Sequence, residues 1–479
     1  MSAKFLILPI EIKARELPGK ALLAAFAAEA GFEVLLGDQR AIARSIHRLP
    51  KGIYLDKSIT RTKIRHYRRL KELGYLVTAW CEEGLVYRDK VAYQFERLSP
   101  VSMSLVDAFF AWGDVHRSDV TEVIPEARDK VHAVGNPRFD LLRQPYSSML
   151  ETEARRLSAE HGRFILVVTT FSRFNRHQGQ RGVLDILQAR GFTITGEQEA
   201  FYNRLVTHLG QVFAAFEAMI PALARSFPDH TIIVRPHPSE DHDRWRKAVA
   251  GVGNAKVVYQ GSVEPWLSAA DAVIHNASTI GVEAFLLGRP VFSYMPVIDE
   301  VFNRLTHLPN MISTKAHSVE DLLPGIRLAC EGRPLSPSDN RDRRELVRRY
   351  VANASGSLAA ERIVQVLSDL HDARPPGRLD TLSYLNAWSR MTARQSLSRL
   401  RHIVRLSRDL HDYMDQKFPG LSLQEVEDHL QAISQAAGHD SKFAVAPHPD
   451  LHGCYTISAL GRSHAARDEA LRREPLMTA

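Results

Sequence analysis

The sequence lacks the features that mark several large classes of protein. Its three cysteines, Cys81, Cys330 and Cys454, are widely separated in 479 residues, with no paired spacing of the kind used in zinc or redox sites. No apolar run approaches the ~20 residues of a membrane span, and the first residues lead into a strand-like segment rather than a signal peptide. We therefore expect a protein that is made and kept in a reducing cytoplasm.

Charge is also modest. The net charge of +7 is small for this length, so it does not by itself indicate nucleic acid, and we expect none as a partner. A weakly basic chain instead favours anionic small molecules or an anionic membrane surface.

What the sequence does contain is an alternation of short apolar segments with helical patterns. Residues 5–9 and 32–38 flank an Ala/Leu-rich helix and form a first βαβ unit. The same pattern continues, which predicts an α/β protein with one parallel-sheet domain at 1–145 and another at 160–372. A Pro/Gly linker at 373–377 precedes a helical extension and tail at 378–479.

The most informative stretch is residues 231–294. A β-branched strand at 231–234 runs directly into Arg235-Pro236-His237-Pro238, where two prolines fix φ and remove two backbone donors. The segment is therefore a rigid loop that holds His237 beside Arg235. The carboxyl edge of an α/β sheet, where this loop lies, is where such sheets bind ligands.

A second strand, residues 272–275, leads into a turn of small and hydroxylic residues that leaves N–H groups and hydroxyls to hold an anion. Glu283 follows one turn into the next helix. Cations and a helix N-terminus suit a phosphate, and a carboxylate suits ribose hydroxyls. The candidate nucleotide- or donor-binding residues are Thr170, Arg235, His237, Asn276, Ser278, Thr279 and Glu283.

In the first domain, Glu82-Glu83-Gly84 follows a predicted strand at 76–80. Two carboxylates at the carboxyl end of a strand lie where an α/β domain keeps its chemistry, and the glycine permits a sharp turn. An ordinary acidic turn is the alternative interpretation. Glu83, Glu82 and His237 are candidates for a catalytic role, and the residues alone do not choose between the two interpretations of this turn.

Three basic segments each have two interpretations. Arg61, Arg65, Arg68 and Arg69 share one helix face, which is either solvated or faces an acceptor or a membrane. The loop at 171–181 either contacts donor phosphate or acceptor, or is merely solvated. Arg394, Arg401, Arg405 and Arg408, on a predicted helix at 382–435, either contact an anionic membrane or belong to a helical appendage packed on the core.

The Arg-Pro-His-Pro loop, the Ser278-Thr279 turn and Glu283 resemble the donor half of GT-B glycosyltransferases. The likeness is to bacterial surface-carbohydrate enzymes: transferases of 3-deoxy-manno-octulosonic acid (Kdo) in capsule and O-antigen synthesis, CMP-using sialyltransferases, and CDP-glycerol glycerophosphotransferases. The resemblance implies two Rossmann-like parallel-sheet domains facing a cleft, with the nucleotide held by the second domain and its phosphate near His237 and Ser278 or Thr279.

The resemblance also implies an activity, the transfer of Kdo or a related nonulosonic acid from a CMP donor to a glycan or lipid-linked acceptor. Capsule Kdo transferases carry a Glu-Asp-Gly segment whose Asp is implicated as the catalytic carboxylate; it corresponds to Glu83, where this sequence has Glu instead. No Asp-x-Asp-like motif stands at a strand end, so we expect no metal and no other cofactor. Peripheral contact with the inner membrane or with a polysaccharide assembly complex is a further expectation.

Two other classes of function remain open. CDP-alditol phosphotransferases, UDP-sugar transferases and UDP-sugar epimerases use the same fold. A non-catalytic scaffold subunit of an assembly complex is the other alternative, which the glutamate at position 83 keeps open.

Overall fold

A computed structural model describes residues 4–87, 89–176, 193–304, 307–335, 337–376, 417–438 and 442–460, together with residues 182, 184, 185, 188 and 389. The chain divides into two compact units. Unit 1 comprises Met1–Gly84, Val91–Met149 and Arg349–Ala479, and unit 2 comprises Leu85–Lys90 and Leu150–Arg348. These units differ from the predicted domains in two places, because Leu85–Lys90 belongs to unit 2 and the chain from Arg349 onward belongs to unit 1.

Unit 1 contains an eight-stranded sheet whose first six strands are parallel. Its strands are β1 (Lys4–Ile10), β2 (Phe32–Asp38), β3 (Ile53–Asp56), β4 (Leu76–Trp80), β5 (Ala108–Ala111), β6 (Val131–Ala133), β13 (Phe443–Pro447) and β14 (Cys454–Ala459). The order across the sheet is β13-β14-β2-β1-β3-β4-β5-β6. The central strands are buried on both faces, which explains their continuous apolar sequences.

The helices of unit 1 lie between these strands and after the last parallel strand. They are α1 (Lys13–Glu29), α2 (Gln39–Ser45), α3 (Ile64–Glu72), α4 (Lys90–Arg97), α5 (Pro100–Ser104), α6 (Asp114–Val123), α7 (Pro137–Asp140), α16 (Ala359–Ala373) and α17 (Leu423–Ala437). Helix α1 is apolar along most of its length, and it packs with α16 and α17 in one hydrophobic core.

Asp140 fastens α16 to the rest of unit 1. Its carboxylate accepts hydrogen bonds from the N–H groups of Ala359 and Ala360, both at 2.9 Å, and from the Asn353 amide at 2.7 Å. The first turn of a helix has N–H groups with no partner in the helix, and a buried carboxylate satisfies two of them here. This explains why residues near 350–372 belong with the first sheet.

The C-terminal extension is only partly helical. Helix α17 begins at a capping box formed by Ser422 and Glu425, so the helix predicted over 382–435 is interrupted at 418–422 and only its last part is helical among the described residues after 417. The sequence pattern missed a β-hairpin, in which β14 pairs antiparallel with β2 and β13 forms the new edge. Pro447 sits on that edge strand, the place in a sheet that tolerates proline. The arginines at 394, 401, 405 and 408 lie outside the described residues.

Unit 2 contains a six-stranded sheet that is parallel throughout. Its strands are β7 (Phe164–Val168), β8 (Thr231–Arg235), β9 (Ala255–Val257), β10 (Ala272–His275), β11 (Val291–Tyr294) and β12 (Thr314–Ala316). Their order is β12-β11-β10-β7-β8-β9, the strand order of Rossmann folds.

Helices follow the strands of unit 2 as expected for βαβ connections. They are α8 (Glu151–His161), α9 (Gly196–Ser226), α10 (His242–Val249), α11 (Glu264–Ala269), α12 (Ile280–Leu286), α13 (His307–Ile312), α14 (Val319–Cys330) and α15 (Pro337–Tyr350). Among the described residues, α9 is the one helix long and apolar enough to cross a bilayer by length and composition. Its buried face, including Phe213, Phe216 and Leu223, packs in the core of unit 2.

Candidate functional site

The chain reverses its direction of travel across the second sheet between β7 and β10. From β7 it proceeds to β8 and β9 on one side, and it then returns to place β10 on the other side of β7. The loops that leave the carboxyl ends of β7 and β10 therefore diverge, and such a switch point is where open α/β sheets bind ligands.

A pocket of about 360 Å³ lies at this point, within unit 2. It brings together five of the predicted residues: Thr170, His237, Asn276, Ser278 and Thr279. Arg173, from the predicted basic loop at 171–181, also lines it. The volume is within the range of small-molecule sites, and the polar groups converge from three loops.

The turn after β10 is held in a strained conformation. Ala277 has a φ of 58°, in the left-handed region that residues other than glycine rarely adopt, at a cost of about 1–3 kcal/mol. Asn276 restrains it from one side, because its Oδ1 accepts the Thr170 N–H at 2.8 Å across the switch point. In the described part of the chain, no hydrogen-bond partner is found for the main-chain N–H groups of Ala277 and Thr279. The turn thus presents donors at the pocket.

His275 restrains the same turn from below. Its Nδ1 accepts the Ser278 N–H at 3.3 Å, so Nε2 carries the proton and donates to Ser313 Oγ at 2.8 Å, which in turn donates to the Pro309 carbonyl. Burial lowers the pKa of His275 to about 3, so the ring is neutral. A Cβ at Gly281 would lie 2.5 Å from His275 Nε2, and only glycine permits this approach. His275 was predicted only as the end of a strand.

His237 is held in one tautomer by its own loop. Its Nδ1 accepts the Ser239 N–H at 3.1 Å, so Nε2 is the donor nitrogen of the neutral ring. The side chain is exposed and lines the pocket. A fixed N–H donor at a pocket of hydroxyls and main-chain N–H groups suits an anionic ligand.

Glu240 organises this loop, and the sequence analysis missed it. Its carboxylate is 1% exposed and accepts hydrogen bonds from Thr169 Oγ1 at 3.0 Å, the Phe171 N–H at 2.8 Å, the His237 N–H at 3.2 Å and Trp245 Nε1 at 2.8 Å. Burial raises the pKa of Glu240, and the four donors oppose that shift. One buried carboxylate thus ties the end of β7 to the His237 loop and to α10.

Two predicted donor-binding residues do not line the pocket. The Arg235 guanidinium donates to the carbonyls of Gln260 and Gly261 at 2.8 and 2.6 Å, and it stacks on Tyr259 and Trp266. Burial lowers its pKa to about 10, so it remains charged and is committed to these partners. Glu283 is 1% exposed and lies on the buried side of α12.

The predicted helix N-terminus needs a correction as well. Helix α12 has only seven residues, and Thr279 precedes it without a side-chain cap. A dipole summed over so few peptide units is small, so the donors of the strained turn matter more than the helix does.

In unit 1, Glu82 and Glu83 occupy the turn after β4, as predicted. Trp80 Nε1 donates to Glu82 at 2.8 Å, and Arg15 lies 3.4 Å from the same carboxylate, whose side chain is 11% exposed. Glu83 forms an ion pair with Arg97, and its side chain is 48% exposed. Glu82 is thus fixed, whereas Glu83 is presented to solvent.

A buried network supports this turn. Trp112 Nε1 donates to the Cys81 carbonyl at 2.7 Å, and His116, neutral because burial lowers its pKa to about 3, contacts Tyr93 Oη at 2.6 Å. A Cβ at Gly84 would overlap the His116 ring. Gly84 is therefore required for this close approach, whereas the sequence analysis attributed it to a sharp turn.

The switch point of unit 1 lies between β1 and β3 and is occupied by ion pairs. Lys20, buried in α1, bonds Glu16 at 2.7 Å and also the Pro9 carbonyl. Lys57, just after β3, pairs with Glu11, and Lys417 binds the same carboxylate at 2.9 Å. Burial, and then the Lys63 ammonium group, lower the pKa of Lys57 to about 8.

No protein-family model matches the sequence, and no curated protein matches it either. Solved structures do match the fold. A protein from Listeria monocytogenes proposed to be a UDP-N-acetylglucosamine 2-epimerase is 13% identical, with a TM-score of 0.50 over 79% of this chain and all of its own.

Two further structures are similar at lower scores. The UDP-N-acetylglucosamine 2-epimerase from Rickettsia bellii is 12% identical, with a TM-score of 0.48 over 77% of this chain and 98% of its own. The wall teichoic acid polymerase TagF is 10% identical, with a TM-score of 0.45 over 78% and 89%. At these identities a likeness shows the fold alone, and the predicted GT-B-like α/β class is confirmed by the sheets and by the Listeria structure.

Proposed function

We propose that the chain is a GT-B-type glycosyltransferase that holds the nucleotide of a sugar donor in the unit 2 pocket. The observation that carries the proposal is the convergence of Thr170, His237, Asn276, Ser278 and Thr279 at one switch point, beside a strained turn. Each of these residues is also one that the sequence pattern predicts to bind the donor.

The donor phosphate would lie between His237 and the Ala277–Thr279 turn. His237 Nε2 and the main-chain N–H groups of Ala277 and Thr279 would donate to its oxygens, and Arg173 would supply positive charge. Donors fixed before the reaction stabilise the charge of a departing nucleotide without reorganising, which is often the largest catalytic contribution. Arg235 and Glu283 are left out of this site because the structure commits the first elsewhere and buries the second.

Glu83 would be the catalytic carboxylate, as the resemblance to Kdo transferases implies. It would act as nucleophile if the anomeric configuration is retained and as base if it is inverted. Glu82 is held by Trp80 and Arg15, so a supporting role suits it better.

The two carboxylates can be separated by substitution. We expect Glu83→Gln to abolish turnover and leave nucleotide affinity within about twofold. Glu82→Gln, the matched control, should keep measurable turnover. Normal turnover in Glu83→Gln would remove the assignment.

The donor we propose is CMP-linked Kdo or a related nonulosonic acid, transferred to a glycan or lipid-linked acceptor of a surface polysaccharide such as capsule or lipopolysaccharide. Support for this choice comes from the sequence resemblance. We also propose that the protein works in the cytoplasm, at or near the inner membrane, and needs no metal. His230, Asp271 and Cys330 bring three ligand atoms within 4.8 Å of one another, but Arg163 already binds that carboxylate.

A UDP-sugar enzyme is the second candidate. The Listeria structure that matches the fold at a TM-score of 0.50 is proposed to be a UDP-N-acetylglucosamine 2-epimerase. A CDP-alditol phosphotransferase and a non-catalytic scaffold are the remaining alternatives.

A thermal-shift titration with CMP, CDP, UDP and GDP tests the proposal and separates the candidates. A ligand that binds only the folded state stabilises it by about 2.7 kcal/mol at a hundredfold excess over its dissociation constant. The proteins to compare are the wild type, His237→Ala, and His452→Ala as an exposed control in unit 1.

We expect CMP to raise the melting temperature more than the other nucleotides do. His237→Ala should lower the affinity for CMP at least tenfold, and His452→Ala should leave it unchanged. A preference for UDP or CDP would favour the corresponding alternative and would be followed by turnover of that donor. No shift with any nucleotide would contradict the proposal and leave the scaffold as the better explanation.

A further inference from the structure

We propose that unit 1 binds an anionic lipid surface through a patch formed by α3, α4, α5 and the turn before α3. We call this patch the basic-apolar face; its members are Arg61, Arg65, Arg68, Val91, Phe95 and Val101.

The apolar half consists of side chains that unit 1 leaves in solvent. Val91, Phe95 and Val101 are 73%, 53% and 46% exposed. Val91 and Phe95 are one turn apart on α4, so they project from the same side, whereas Tyr93 of that helix is buried. A helix that buries one face and shows aliphatic and aromatic side chains on the other has the composition of an interfacial helix.

The basic half comes from a segment with cations and no acids. Residues 61–71 contain six lysines and arginines and no aspartate or glutamate. Two of the cations are used within unit 1, since Lys63 pairs with Asp56 and Lys71 with Asp107. Arg61, Arg65 and Arg68 remain exposed at helical spacing.

The two halves are joined into one surface. The Arg61 guanidinium lies 5.9 Å from the centre of the Phe95 ring. Ser102 Oγ of α5 donates to the Thr60 carbonyl at 2.8 Å, which fixes the helix that carries Val101 against the turn that carries Arg61. Helix α5 also packs directly on α3. Cations and apolar tips therefore share one surface of unit 1.

An anionic bilayer satisfies both halves at once, because its headgroups take arginines and its interface takes apolar side chains. An acidic soluble partner would pair with the arginines but would give no reason for the exposed apolar side chains beside them. The proposal extends the proposed function, in which a lipid-linked acceptor is expected, but it is argued from this surface alone. The assay below contains no nucleotide, so its failure leaves the donor assignment untouched.

The test is co-sedimentation of the full chain with vesicles, either phosphatidylglycerol mixed with phosphatidylethanolamine or phosphatidylcholine alone. One variant removes the charges, Arg61→Gln/Arg65→Gln/Arg68→Gln, and another removes the apolar tips, Val91→Ser/Phe95→Ser. Matched controls are the exposed arginines of unit 2, Arg155→Gln/Arg246→Gln/Arg333→Gln, and its exposed apolar pair, Ile298→Ser/Val301→Ser. Thermal unfolding of each variant in the absence of nucleotide reports whether it is folded.

We expect the wild type to bind the anionic vesicles and not phosphatidylcholine, and to dissociate at high salt. The triple arginine variant should partition about 100-fold less, since each basic residue near an anionic surface contributes roughly fivefold. The apolar variant should bind at least tenfold less, and both controls should behave as wild type. Absence of wild-type binding, equal binding to phosphatidylcholine, or equal losses in the unit 2 controls would overturn the proposal.

Discussion

The two sheets use their switch points in opposite ways. In unit 2 the pocket between β7 and β10 is lined by hydroxyls, an amide, the His237 imidazole and the Arg173 guanidinium, and it opens beside the main-chain N–H groups of the Ala277–Thr279 turn. In unit 1 the point between β1 and β3 is filled by lysines and glutamates that neutralise one another.

The difference separates side chains that are committed to partners within the protein from groups that face a cavity. A charged side chain already paired with its neighbour has little left for a ligand, as Arg235 shows by donating to two carbonyls. In unit 2 other groups fix the orientation of donors that face a cavity, as the Ser239 N–H does for the His237 ring. In unit 2 the Glu240 carboxylate is buried and accepts the His237 N–H, so it orients the loop and does not line the pocket.

Removal of the Glu240 carboxylate has the largest expected effect. Glu240→Ala leaves the hydrogen-bond donors of Thr169, Phe171, His237 and Trp245 without their acceptor. Because buried donors without a partner are destabilising, we expect the unfolding free energy of the variant to be about 4 kcal/mol lower than that of the wild type. We expect nucleotide affinity to fall at least 100-fold. Urea unfolding and nucleotide titration measure the two effects.

Two variants control this experiment. Glu240→Gln keeps an acceptor oxygen and should recover part of both losses, whereas Glu199→Ala, an exposed glutamate of α9, should change neither. Wild-type affinity in Glu240→Ala would show that the loop does not need its buried carboxylate.

The matching change in unit 1 is Lys20→Met. The substitution removes the ammonium group from the buried Glu16 carboxylate, which keeps its hydrogen bonds from the N–H groups of Glu11 and Ile12. Because removal of one partner of a buried ion pair is destabilising, we expect the unfolding free energy to fall by about 3 kcal/mol. Hydrogen exchange of unit 1 amides should register the loss, while nucleotide affinity should stay within about twofold. Lys442→Met, at an exposed lysine of the same unit, is the control. A fall in affinity equal to that of Glu240→Ala would erase the distinction between the two switch points.

The smallest expected effect is the pH dependence of Lys57. Its pKa of about 8 in the folded protein is below the unfolded value, so its contribution is present at high pH and is lost as the pH falls through about 8. Relative to Lys57→Met, the wild type should therefore gain about 2 kcal/mol in unfolding free energy between pH 7 and pH 10. If the unfolding free energies of the two proteins change equally with pH, the Lys57 amine has the same pKa in the folded and unfolded protein and the prediction is wrong.

Local pattern was enough to predict much of the fold and part of the site. Fully buried parallel strands read as continuous apolar runs, so the sheets were placed closely, and the loops at their carboxyl ends gave His237, Asn276 and Ser278. The hairpin of β13 and β14 was missed because β14 pairs with β2, some 400 residues earlier in the chain, and no local pattern records that pairing.

What the sequence could not show was which polar residues are already used. Arg235 and Glu283 have the right chemistry and the right neighbours in sequence, and only their packing removes them from the pocket. Glu240 is the opposite case, a buried residue that the sequence did not indicate. A glutamate in a proline-bounded turn is typical of an exposed loop. His275 carried a weak signal, as the one polar residue at the end of an apolar strand.

We propose above all that the switch point of unit 2 holds a nucleotide phosphate. A crystal structure of the full chain grown with the nucleotide that gives the largest thermal shift tests it most directly. We predict phosphate oxygens within about 3 Å of His237 Nε2 and of the main-chain nitrogens of Ala277 and Thr279. A nucleotide bound at another place, or one whose phosphate points away from this turn, would contradict the claim.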